Sequence, residues 1–165
     1  MAVMNLLPKG VTYYKANLHC HTVHSDGKLT PQEVKKLYQE RGYSIIAFTD
    51  HRHYANHSEL NDEAFLAIAA LETDLNEFGS YQGGFDRIKT YHINWFDRAP
   101  ELYKEEKAHL AQPRRRYHDV EGLNEYVEKM TRLGFLACYN HPYWSLQTYE
   151  DYKDLRGFWG MEIYN

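Results

Sequence analysis

Residues 44–49 (Ser-Ile-Ile-Ala-Phe-Thr) form a short, unbroken apolar run, and this run constrains the fold more than any other feature. A strand with one wet face alternates apolar and polar residues. A continuous run is what a strand covered on both faces needs, as in a parallel sheet flanked by helices. The segments around it keep to that plan. Residues 14–20 read as a strand. Thr30-Pro31-Gln32-Glu33 then reads as a helix start, with Thr30 as N-cap, Pro31 at the first position and Glu33 closing a capping box. Val34, Leu37 and Tyr38 supply the apolar stripe of this helix and Gly42 ends it. Residues 65–75 are a further apolar run, whose alanines also allow a helix, and residues 89–95 read as a strand. Residues 99–112 are charged and helix-prone, and are expected on the surface rather than in the core. Leu123, Tyr126, Val127 and Met130 mark a second amphipathic helix stopped by Gly134, followed by strand candidates at 135–139 and 159–164. No repeat, low-complexity tract or linker divides the chain, so residues 1–165 are expected to form one domain. Strand–helix alternation in one unit favours an α/β barrel over a sandwich or a bundle.

Composition excludes several classes of function. A chain of 165 residues with 43% hydrophobic residues can bury a real core. A net charge of −4 gives no bulk attraction to nucleic acid or to an anionic membrane. No stretch approaches the roughly 20 apolar residues of a membrane span, and the first residues lack the charged and apolar regions of a signal peptide. Cys20 and Cys138 are too few for a disulfide framework and fit a reducing compartment. The expectation is a cytoplasmic protein with neither a membrane nor a nucleic-acid partner. The unusual count is 10 His.

Placed on the strands, the histidines fall into a pattern. His19 and His21 lie two apart at the end of the first strand, so both side chains leave one face, about 6.6 Å apart along the chain. Ser25-Asp26-Gly27 is a tight turn carrying a carboxylate, and His51 follows the second strand. Glu72 lies late in the third run, His92 on the fourth, and His141 after the fifth in Asn140-His141-Pro142. A ligand-type residue therefore recurs at or near the end of each successive strand. In parallel barrels those ends converge on one face, where active sites form. Imidazoles with a bridging carboxylate suit zinc, manganese or iron. Two such ions can activate a shared water and clamp both oxygens of an in-line displacement. A structural zinc site needs four ligands, often thiolates at tight local spacing; seven candidates on five strands are too many for one.

The ordered motifs Leu18-His19-Cys20-His21-Thr22, Ser25-Asp26-Gly27, Thr49-Asp50-His51, Glu72 and Asn140-His141-Pro142 resemble those of the polymerase and histidinol phosphatase (PHP) superfamily. The resemblance runs from about residue 14 to residue 165. It implies a distorted, TIM-like (β/α)7 barrel with two or three divalent metal ions (Zn, Mn or Fe) at its C-terminal face. By motif position, His19, His21 and Glu72 would serve one ion. Glu72 would bridge to a second, also held by His92 and His141, and Asp26 with His51 would hold a third. Glu162-Ile163-Tyr164-Asn165 resembles the sixth strand of the family. The family pattern ends with an Asp-x-His motif on its last strand, and no such motif follows Glu162. The barrel is therefore expected to lack its last strand in this chain and the domain to be C-terminally incomplete, with unpaired edges open to self-association.

The activity implied is that of a phosphoesterase acting on a small phosphorylated substrate, the metal ligands being the catalytic apparatus. No Gly-x-Ser-x-Gly elbow or P-loop competes with it. Two rivals stand beside it: a metal-dependent amide or ester hydrolase, using the same activated water on a carbonyl, and a non-catalytic metal-binding regulatory domain. Arg52, next to His51, is the candidate for binding substrate phosphate, since an Arg fork matches phosphate oxygens. Arg114-Arg115-Arg116 reads as a solvated charge run, and His57, His109 and His118 as surface residues.

Overall fold

A computed structural model describes residues 8–81, 84–110, 115–117, 119–145 and 147–163. The chain opens with β1 (Ala16–Cys20) and α1 (Pro31–Gln39). The capping box forms as expected: Thr30 Oγ1 accepts from Glu33 N at 3.3 Å, and the Glu33 carboxylate accepts from Thr30 N at 2.8 Å. Such a cap contributes about 1 kcal/mol to the helix. α1 ends at a left-handed turn through Gly42 (φ +77°), a conformation open to glycine without strain.

β2 (Ile45–Phe48) pairs in parallel with β1 and with β3 (Leu66–Tyr81). The unbroken apolar run is explained by burial on both sides. Ile46 and Phe48 pack with Val34 of α1, while Ala47 points the other way and packs with Ala70 and Phe96.

The chain departs from a parallel barrel at β4 (Gly84–Asp97). This strand runs antiparallel to β3, with Glu72 opposite Asn94 and Asp74 opposite His92, and antiparallel also to β6 (Phe135–Tyr139). Two residues separate β3 from β4, whereas a parallel pair needs a crossover of a dozen residues or more. The run at 65–75 is thus a strand rather than a helix, and both it and the 89–95 strand are far longer than expected. His92 accordingly sits within a strand, not at the C-terminal end of a parallel one.

β5 (Arg115–Tyr117) pairs in parallel with β3, so residues 115–117 are sheet rather than a free charge run; Arg114 and His118 lie outside the described residues. α3 (Val120–Arg132) is capped by Asp119, whose side chain accepts from Gly122 N at 2.8 Å. Its Leu123, Val127 and Met130 pack with Tyr91, Ile93, Trp95 and Phe135 in the largest apolar cluster. After α4 (Tyr149–Tyr152), β7 (Phe158–Met161) lies parallel to β6. The result is a mixed α/β fold with a curled half-barrel sheet, ordered β1-β2-β3-β4-β6-β7, with β5 added beside β3.

The 99–112 segment is not wholly surface. It contains α2 (Lys104–Ala108), and both Lys107 and Leu110 are buried. The Lys107 ammonium meets the Asp97 carboxylate at 2.7 Å and donates to Ala99 O, also at 2.7 Å, so the charge is buried with partners. Among the described residues no helix is long and apolar enough to cross a membrane.

Candidate metal centre

β1 delivers His19 and His21 to one face, and their Nε2 atoms come within 3.0 Å of each other. The loop that follows is held from below by Asp50, which is buried at the end of β2. Its carboxylate accepts from Thr22 N at 2.7 Å, Thr22 Oγ1 at 2.8 Å and Ser25 Oγ at 2.7 Å. Gly27 closes the loop so tightly that a Cβ there would stand 2.4 Å from His21 O. Asp26 is thereby set against His21, Oδ1 to Nδ1 at 2.7 Å, and its other oxygen lies 3.8 Å from His51 Nε2. Beyond β2 the chain crosses to β3 through Arg52, whose N–H donates to Glu72 O at 2.7 Å. Arg52 (φ 55°) and His141 (φ 25°) both have positive φ, a backbone cost that clusters at functional sites.

Everything converges on Glu72, which is fully buried. One carboxylate oxygen, Oε2, lies 3.0 Å from His21 Nε2, 3.3 Å from His19 Nε2 and 3.3 Å from His51 Nδ1. The other, Oε1, lies 3.1 Å from His92 Nδ1 and 3.3 Å from His141 Nε2, and accepts from Asn140 Nδ2 at 2.8 Å. Each oxygen thus faces its own set of imidazoles.

Burial by itself would raise the Glu72 pKa. Hydrogen bonding to His141, His19, His21 and His92 outweighs it and holds the carboxyl well below its ordinary range. Burial works to lower the His19 pKa, yet Glu162 and Glu72 together raise it from 6.5 to about 9. His21 is raised in the same way by Glu72 and Asp26, against burial. Burial works to raise the Asp26 pKa, but His21 and His51 together hold it below its ordinary value.

The donor set fits divalent ions. Five imidazoles around one buried carboxylate are more nitrogen donors than hydrogen bonding can use, and His51 Nδ1 is buried without a hydrogen bond. Four triads bring ligand atoms within 4.8 Å of one another: His19–His21–Glu72, His19–His141–Glu162, His21–Asp26–His51, and His51–Glu72–His92. All seven sequence candidates are therefore brought together, and Arg52 stands beside them.

Three further residues of the centre were missed or undervalued in the sequence. Asp50 braces the His21–Asp26 loop. Glu162 Oε1 meets His19 Nδ1 at 2.8 Å, and its Oε2 accepts from His141 N at 3.2 Å. Asp74 lies one strand repeat beyond Glu72 and pairs with Arg52; period-2 spacing was the signal available for it. His57, expected on the surface, is largely covered and packs edge-on against Phe48, in a row with His24 and His53; His109 is exposed.

Adding Mn²⁺ or Zn²⁺ to the metal-free chain at pH 7 is expected to release at least one proton per chain, because His19, with a pKa of about 9, must lose its proton to ligate through Nε2. The raised pKa means that the stabilisation from His19 is complete below 6.5 and fades as pH rises through about 9. Metal affinity should strengthen over that same rise. Calorimetry in buffers of different ionisation enthalpy measures the proton count, and heats independent of buffer would contradict the assignment.

The PHP domain family model matches residues 17–159. The chain belongs to the PHP domain family. A stretch of 56 residues is 37% identical to an uncharacterized protein of Methanocaldococcus jannaschii, MJ1295, covering 34% of this chain and 26% of that protein. This PHP domain also resembles two solved structures. One is an amidohydrolase from Chromobacterium violaceum with bound sulfate and no metal (TM-score 0.57, 16% identity, 90% of this chain and 76% of the other). The second is a protein proposed to be a metal-dependent phosphoesterase, from Bifidobacterium adolescentis (TM-score 0.55, 13% identity, 93% and 78%). At these identities the two structures speak to the fold alone.

Proposed function

We propose that this PHP domain is a metal-dependent hydrolase of small phosphoesters, working through a di- or trinuclear centre in a distorted (β/α)7-type barrel. The observation that carries the reading is Glu72, whose two oxygens each face a separate set of imidazoles, so that it could serve two ions at once. His19, His21 and Glu72 Oε2 would hold one ion. His92 and His141 at Oε1, with His51 and Asp26 to one side, supply the donors for the rest. When bound, such ions lower the pKa of water and neutralise charge building on phosphoryl oxygens.

The remaining work falls to the protein. Glu162 holds His19 by its Nδ1, which leaves Nε2 directed at Glu72. Asp26 fixes His21 in the same sense. Beside the imidazoles lies a cleft of about 530 Å³, lined by His24, Ser25, Asp26, His51, Arg52, Asp74 and His92. Arg52 is half-buried there and paired with Asp74, and its guanidinium would bind oxygens of a substrate phosphate. Zinc, manganese and iron all suit this donor set.

The second reading is an amide or ester hydrolase, favoured by the name of the Chromobacterium violaceum neighbour. A chromogenic phosphomonoester and a panel of chromogenic amides and esters, each with added manganese or zinc, separate the readings. Phosphoester turnover that is abolished by chelation and restored by metal is expected. Turnover of the amide or ester panel alone would favour the second reading, and a metal-loaded chain inert to both would leave a binding domain.

A further inference from the structure

We propose that Asp74 is an additional metal ligand, completing a four-donor position with His51, Glu72 and His92, and that the same carboxylate tethers Arg52 to that position. The inference rests on the metal-dependent reading above and departs from the partition that motif resemblance implies, in which His51 is grouped with Asp26 and His92 with His141.

The backbone sets up the arrangement. Glu72 and Asp74 are two apart on β3, so both leave the same face, and His92 stands directly opposite Asp74 in the antiparallel register. His51 enters from the end of β2, bridged in parallel to Glu72. Asp74 Oδ1 lies 3.3 Å from His51 Nδ1 and 3.9 Å from His92 Nδ1. The same two nitrogens lie 3.3 Å and 3.1 Å from the Glu72 oxygens Oε2 and Oε1. Bonds of 2.0–2.2 Å to a tetrahedral ion put neighbouring donors about 3.4 Å apart, close to the spacing of His51 Nδ1 from Asp74 Oδ1 and from Glu72 Oε2. His51 Nδ1 is buried and lies at the same 3.3 Å from both carboxylates.

Asp74 divides its two oxygens between two tasks. Oδ2 accepts from Arg52 Nη1 while Oδ1 faces the imidazoles. A carboxylate shared in this way couples the guanidinium to the ion. Arg52 sits where an anionic substrate oxygen would be reached by the ion and the guanidinium together, which favours a terminal phosphate with several charged oxygens over a neutral ester.

The test is metal content and cobalt spectroscopy on the full chain. Asp74→Ala should lose one ion per chain, or bind it at least about tenfold more weakly, and should alter the visible spectrum of the Co²⁺-loaded protein. Arg52→Ala should keep both the stoichiometry and the spectrum of the parent. If Asp74→Ala does not fold, Asp74→Asn, which keeps the volume and loses the charge, is expected to show the same weakening. Parent-like stoichiometry, affinity and spectrum in the folded Asp74 variant would overturn the proposal and leave Asp74 as an anchor for Arg52. A parent chain that takes up no metal would instead overturn the metal-dependent reading on which this one rests.

Discussion

Glu72→Gln is expected to abolish metal-dependent turnover, lowering kcat/KM on a phosphomonoester by at least about 10³-fold, or roughly 4 kcal/mol of transition-state stabilisation. The substitution conserves volume, so no cavity is opened and packing around the side chain survives. What changes is charge and donor type. Glu72 is the common partner of His19, His21, His51, His92 and His141. An amide supplies one weak oxygen in place of two charged ones and turns an N–H towards imidazoles that need an acceptor or an ion. Both ions that Glu72 would bridge should therefore be lost or bound far more weakly. Elemental analysis beside steady-state kinetics checks this. A Glu72→Gln protein that keeps its metal and stays within tenfold of the parent would remove Glu72 from the centre of the site.

Much of this site was legible because its chemistry lies on local patterns. His19 and His21 sit two apart at the end of a short strand, and Ser25-Asp26-Gly27 is a turn that only a glycine can close at that distance from His21 O. The run at residues 44–49 declared a doubly covered strand and led directly to His51. What the pattern did not show is the reversal at β4. An apolar strand looks the same whichever way it runs, and direction is set by the connection. The Gln82-Gly83-Gly84 stretch between residues 75 and 89 was a hairpin signal left unused. A parallel β4 would put His92 near the site but not opposite Asp74; only the antiparallel register brings the two together. Asp50 was hidden for another reason: it stands beside His51 and turns its carboxylate to Thr22 and Ser25.

The charged segment at residues 99–112 misled for a reason that yields the second large effect. Charge along a helix normally means solvent, and one lysine drawn into the core cannot be told from its neighbours by sequence. Lys107 is that lysine. Its side chain is 1% exposed and its partner Asp97 is fully covered, with the ammonium also near the Phe135 ring. Asp97 accepts in addition from Tyr54 Oη at 2.6 Å and from Ala99 N at 2.9 Å. Lys107→Ala would strand that carboxylate in the core, and removing one partner of a buried pair costs about 3–5 kcal/mol. Replacing both partners with apolar residues of similar size (Lys107→Met with Asp97→Leu) should cost less than the single change, because no charge is left behind. Asp97 pairs with Phe135, the first residue of β6, whereas His141 follows the other end of that strand. The loss should therefore appear in the urea midpoint of Lys107→Ala and not in the metal content of its folded fraction. A stability change below about 1 kcal/mol would mean that Lys107 reaches solvent and that the pair does not hold α2 to the sheet.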